Sequence, residues 1–210
     1  YSDGDITNKN YQYGNKYDYM NSSSANAIYS AADDLGWIDG EGGDVNFIAQ
    51  SSGRNFPHFV KNDDRIYLTN SDGTLVSIRW DGTDEKEHIT ITGISTYGTT
   101  DPVSPSEASL IYKAPIGDQV LAQINNEIYT ATLPQTGSVV KISVSDPDNS
   151  SFPAKKLTLI GGEFPQWSGD ASQVHWSLGK GHFIYNFEDA KTFADSVKAA
   201  TKAAAEATAD

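Results

Sequence analysis

Hydrophobic positions fall in short runs of β-branched and aromatic residues, and each run is closed by a polar turn rich in Asp, Asn and Gly. Asp bonds its own backbone and Gly permits positive φ, so such clusters mark turns. The segment from Gly53 to Ile78, GRNFPHFVKNDDRIYLTNSDGTLVSI, reads as turn, strand, turn, strand, and GGEFPQWSGDASQVHWSLGKGHFIY from Gly161 to Tyr185 has the same rhythm. The turns KNDD, IGD and SGDAS precede the strands RIYLT, QVLAQI and QVHWSL. Tighter turns, NSDG, NN and GKG, then lead to TLVSIRW, EIYTATL and HFIYNF. Strand and hairpin signals at this density predict an all-β chain.

The two segments align with an offset of 108 residues, Phe56-Pro57-His58-Phe59 over Phe164-Pro165-Gln166-Trp167. Half that offset, 54, finds a middle copy, with Gln119-Val120-Leu121-Ala122 under Arg65-Ile66-Tyr67-Leu68. Without a gap, Gly73-Thr74-Leu75 falls on Glu127-Ile128-Tyr129 and on Gly181-His182-Phe183. Later strands are expected at His88–Thr92 and Val139–Val144, and Ala154–Ile160 reads as the outer or linking strand of a unit. A period of about 54 fits a four-stranded propeller blade and exceeds a leucine-rich or helical repeat.

Residues 1–52 read as a loop-rich arm followed by a partial blade, with strand signals at Ala27–Tyr29 and Val45–Ala49. Residues 53–186 are three blade repeats. Residues 187–210 change to Ala and charged residues and predict a helix or connector, in which Phe193 and Val197 could dock one face. Three to four blades is an awkward number for a ring of four to eight. The expectation is therefore a segment of a larger protein.

The formal net charge of -13 argues against nucleic acid, which needs clustered Lys and Arg. No apolar run approaches the roughly 20 residues of a membrane span. The chain has no cysteine, which excludes disulfides, thiol catalysis and Cys-based zinc sites.

Candidate chemistry is sparse. Trp37 and Trp80, beside Gly and Asp turns, are expected at the surface and are candidate ligand-stacking residues. Trp167 and Trp176 align with Phe59 and Leu68 and are expected in the core. Asp146, Asp148 and Asn149 offer oxygen ligands at short spacing, a candidate calcium loop without the full twelve-residue pattern. Asp33, Asp34, Asp39, Glu41 and Asp44 read as a solvated acidic loop. His175 and His182 could meet across a hairpin and bind a metal, but His175 aligns with the packed positions of Tyr67 and Leu121, so a packing or turn role is expected. No Ser-His-Asp spacing, phosphate loop or carboxylate pair stands out from the turns.

FPHFVKNDDRIYL resembles the TolB-type, WD40-like propeller repeat. With KKLTLIGGEFPQWSGDASQVHWSLGKGHFIYNFEDA, LVSIRWDGTDEKEHITITG and VLAQINNEIYTATLPQTG, residues 44–205 resemble the propeller that precedes the catalytic barrel of large exported bacterial metal-dependent amidohydrolases. In that family the metal site uses a His-x-His strand motif, two further His and an Asp of the barrel. The histidines here are His58, His88, His175 and His182, and none forms His-x-His. The resemblance thus implies a non-catalytic segment, without a cofactor of its own, that packs on and gates a downstream zinc-dependent barrel. It implies a periplasmic or extracellular location. Its partner would be that barrel or another protein surface. The alternative is a self-standing TolB-like propeller that binds a protein or peptide.

Overall fold

A computed structural model describes residues 21–23, 33–94 and 105–207. The expected strand Ala27–Tyr29 and most of the N-terminal arm lie outside the described residues. The rest is mostly β-sheet with one C-terminal helix.

Turn residues divide the strands into four sheets. The first holds β1 (Asn21–Ser23), β2 (Asp33–Trp37) and β3 (Asn46–Gln50) in that order. The second is an antiparallel meander of β4 (Arg54–Phe59), β5 (Ile66–Asn70), β6 (Thr74–Ile78) and β7 (Lys86–Gly93), with β8 (Ser106–Glu107) pairing the end of β7. The third holds β9 (Leu110–Lys113), β10 (Gln119–Ile124) and β11 (Glu127–Thr132), and is completed by β13 (Ala154–Lys156) after a long excursion. The fourth holds β14 (Glu163–Trp167), β15 (Gln173–Leu178) and β16 (Gly181–Asn186).

Side chains alternate between the faces of a strand, so a sheet covered on both faces needs apolar residues in both sets. Strand β5 shows this: Ile66 and Leu68 pack toward the first sheet, while Tyr67 packs toward the third. Three seams result. Leu35 and Ile48 meet Ile66, Leu68, Val76 and Ile78 in the first. Leu75, Ile89 and Ile91 meet Val120, Ala122 and Ile124 in the second. Leu110, Leu121 and Ile128 meet Val174 and Trp176 in the third. The sheets thus stack in chain order, and Ile66, Val120 and Val174 recur every 54 residues on equivalent faces. Trp167 and Trp176 both join the third seam, as expected of core residues. Among the described residues the stack is open, with no sheet joining the fourth back to the first.

Polar staples at equivalent positions hold the seams. The Thr69 hydroxyl donates to the Ile111 carbonyl and accepts from the Ile111 N–H, both at 2.9 Å. Fifty-four residues on, Gln123 Nε2 donates to the Gly162 carbonyl at 2.8 Å. Gly162 has no room for a side chain, because a Cβ there would lie 2.5 Å from the Trp176 ring and 2.8 Å from Ile128.

Two expectations change. The ungapped alignment fails at the second hairpin. Thr69 pairs with Leu75, Gln123 with Ile128 and Ser177 with His182, so Leu75, Ile128 and His182 are equivalent. The hairpins of the third and fourth sheets turn on two residues, Asn125-Asn126 and Gly179-Lys180, one fewer than the NSDG turn allows. Asn125 and Asn126 have φ of 50° and 69°, the left-handed pair that a tight hairpin requires. The expected strand Val139–Val144 is also present, as β12 (Val140–Ser143), but it leaves its own unit and pairs in parallel with β7 of the second sheet. Ile142 and Val144 are buried in the second seam, which draws the strand across and covers the outer edge of β7.

The helix α1 (Phe187–Ala207) follows β16 directly. The Asn186 side chain caps it, accepting from the N–H groups of Glu188 at 2.9 Å and Asp189 at 3.1 Å. Phe187 packs on Trp167, with ring centroids 5.8 Å apart. Phe193 and Val197 are exposed rather than docked. No helix among the described residues is long and apolar enough to cross a membrane.

Candidate functional site

The densest cluster of polar and titratable groups lies at one end of the second seam. Cross-strand pairing lines up His58, Tyr67 and Ser77 on one face of the second sheet. A bulge in β7, between the pairs Leu75–Ile89 and Val76–Glu87, leaves His88 as the extra residue and aims it at Ser77. Lys113, at the end of β9, closes the row from the third sheet, its Nζ 5.4 Å from the centroid of the Tyr67 ring.

Each member is committed to a neighbour. His58 Nδ1 donates to the Phe56 carbonyl and Nε2 accepts the Lys113 N–H, both at 2.9 Å, which sets the tautomer. Burial holds the His58 pKa at about 4. The Tyr67 hydroxyl donates to Asp63 Oδ2 at 2.6 Å, and burial together with that bond raises its pKa. Burial lowers the pKa of the Lys113 ammonium, against the pull of the Asp63 and Asp118 carboxylates. Ser77 Oγ lies 2.8 Å from His88 Nε2, a distance at which an imidazole can activate a hydroxyl. Here it cannot act as a nucleophile. Ser77 is fully buried, out of reach of a substrate, and Arg65 Nε donates to the same oxygen at 2.8 Å, which occupies a lone pair an attack would need. Burial holds the His88 pKa at about 4, with the Arg65 charge adding to the effect. The row is a hydrogen-bonded joint between two sheets, in which both imidazoles are neutral at pH 7.

Two shallow clefts open onto this joint. One of about 470 Å³ is lined by Lys61, Asp63, Lys113 and Gly117. The other, of about 570 Å³, is lined by His88, Glu87 and the excursion from Leu133 to Val139. The histidines His58 and His88 stood alone in the sequence, and their alignment came from strand register and a bulge. The one local signal was the facing pair His58 and Tyr67 across the KNDD turn.

Trp37 ends β2 and is 38 % exposed, while Trp80 stands in the loop after β6 and is 39 % exposed. Trp80 is stacked on Phe59 at 5.3 Å and 9°, so one of its faces is taken by its own chain. Its other surroundings form a cleft of about 390 Å³ rich in charge, with Asp63, Asp64, Arg65, Arg79 and Asp81. Trp37 thus belongs to the first sheet and Trp80 to the turn between β6 and β7 of the second. Asp146, Asp148 and Asn149 are brought together on one 3-10 turn, Pro147–Asn149, where the Asn149 amide donates to Asp146 Oδ2 at 2.8 Å. Asp39, Glu41 and Asp44 are exposed on the turn between β2 and β3.

The fourth sheet differs from those before it. One face packs on the third sheet through Val174 and Trp176. The other carries His175, Ser177, His182 and Ile184, and Ile184 is 54 % exposed. The equivalent residues in the second and third sheets, among them Tyr67, Leu75, Leu121 and Ile128, are buried. Among the described residues strand β16 pairs on one side only, whereas β6 and β11 each have a fourth strand beside them. No protein-family model matches the chain, and no curated protein matches it.

Proposed function

We propose that the chain is a non-catalytic, propeller-type scaffold of an exported metal-dependent hydrolase, which packs on the catalytic barrel and shapes access to its site. The observation that carries this reading is the bare face of the fourth sheet. A sheet face whose counterparts are buried twice over in the same molecule is built to be covered. Ile184 on that face is exposed, as are Phe164 on β14 and Phe193 and Val197 on α1. The stacking of meanders in chain order supports blades, and the strings quoted above support the hydrolase parentage. In this reading the zinc chemistry belongs to the barrel.

The edge of β16, unpaired among the described residues, favours a second reading, a self-standing module that takes up a peptide strand by β-addition. An assay of the isolated chain with added zinc on amide and cyclic-amide substrates tests the first reading. No turnover is expected. Zinc-dependent hydrolysis that co-purifies with the chain would overturn the non-catalytic role. Strand-register peptide binding by the isolated chain, with no larger protein in the source, would favour the second.

A further inference from the structure

The bare face of the fourth sheet carries a pair of imidazoles where the other sheets carry packing residues. His175 is equivalent to Tyr67 and Leu121, and His182 to Leu75 and Ile128, all four of which are buried. The two histidines are diagonal neighbours, since His175 pairs with Ile184 and Ser177 with His182. His175 Nδ1 lies 3.3 Å from His182 Nε2, with the rings 17° from parallel.

That separation has a chemical meaning. Two nitrogens bound to one tetrahedral ion at about 2.0–2.1 Å stand about 3.3–3.4 Å apart. The strand register fixes the two backbones as diagonal neighbours before any ion arrives, so side-chain rotation is what converges the lone pairs. The proton shared between the rings moves to an outer ring nitrogen by tautomer exchange, which frees both inner nitrogens as donors. The chain's net charge of -13 favours a cation over an anion at this face. No third His, Asp or Glu joins the pair into a larger group among the described residues.

We propose that His175 and His182 form a two-nitrogen chelate for a divalent transition-metal ion, with the remaining positions open to water or to a side chain of whatever covers the face. Imidazole donors suit Zn²⁺, Ni²⁺ and Cu²⁺, and Cu²⁺ should bind tightest. The site is independent of the hydrolase reading.

Titration calorimetry of the metal-free chain with Cu²⁺ and with Zn²⁺ tests the proposal. One ion per chain is expected at this site, with Cu²⁺ the tighter. His175→Ala and His182→Ala should each weaken binding by roughly tenfold or more, because one of two donors is lost. In the unaltered chain, Zn²⁺ should shift the ring-nitrogen resonances of His175 and His182 and leave those of His58 and His88 in place. Affinity unchanged in both variants, or shifts confined to other residues, would overturn the proposal.

Discussion

His58 has no free nitrogen, and a second proton would have to face the Lys113 N–H at a half-buried position beside the second seam. Its folded pKa of about 4 lies below the unfolded value of about 6.5, so the unfolded chain binds more protons between them. Stability is therefore complete above about pH 6.5 and is lost as pH falls toward 4. For His58, which is half-buried, the loss is at most about 3 kcal/mol. His88, half-buried like His58 and with the same folded pKa of about 4, adds to it in the same direction. Denaturant midpoints measured from pH 7 to pH 4 should fall across this window. A flat profile down to pH 4.5 would show that neither imidazole is held neutral by the fold. Neither residue's role was legible from the sequence. The bond from His58 to Lys113 spans 55 residues, and no local pattern specifies which inner strand comes to lie against which.

At the scale of the element, strands were legible and their partners only in part. RIYLT, QVLAQI and QVHWSL could be placed because turn residues bound each run and the same faces recur. The change at the second hairpin was hidden, since either alignment keeps an apolar residue opposite the preceding strand. Strand β12 was recognised as a strand, but its alternation says only that one face is buried, not which sheet it joins. The staples between sheets test the seams directly. Thr69→Val keeps the shape and removes both bonds to Ile111, leaving a buried N–H and C=O unpaired. The cost should be about 1–3 kcal/mol, read as a lower midpoint with unchanged denaturant slope. A shift within error would show that the second seam is held by apolar contact alone.

Among the described residues the sheets form an open stack with three filled seams, and the outer face of the fourth sheet is bare. The molecule's all-β character and its repeat were legible because each unit buries its faces the same way; ring closure was not, because it depends on how the last sheet meets the first. The helix was legible from its alanines, but the exposure of Phe193 and Val197 was not, since spacing four apart marks a stripe without saying what meets it. If the open face and helix are built to be covered, they should be protected where the partner is present. Hydrogen exchange across residues 173–207 should therefore be compared between the isolated chain and the protein as purified from its source. The scaffold reading expects markedly slower exchange on β15, β16 and α1 in the source protein, with the first two seams unchanged. Equal exchange in both samples would mean that nothing covers the fourth sheet, and would contradict it.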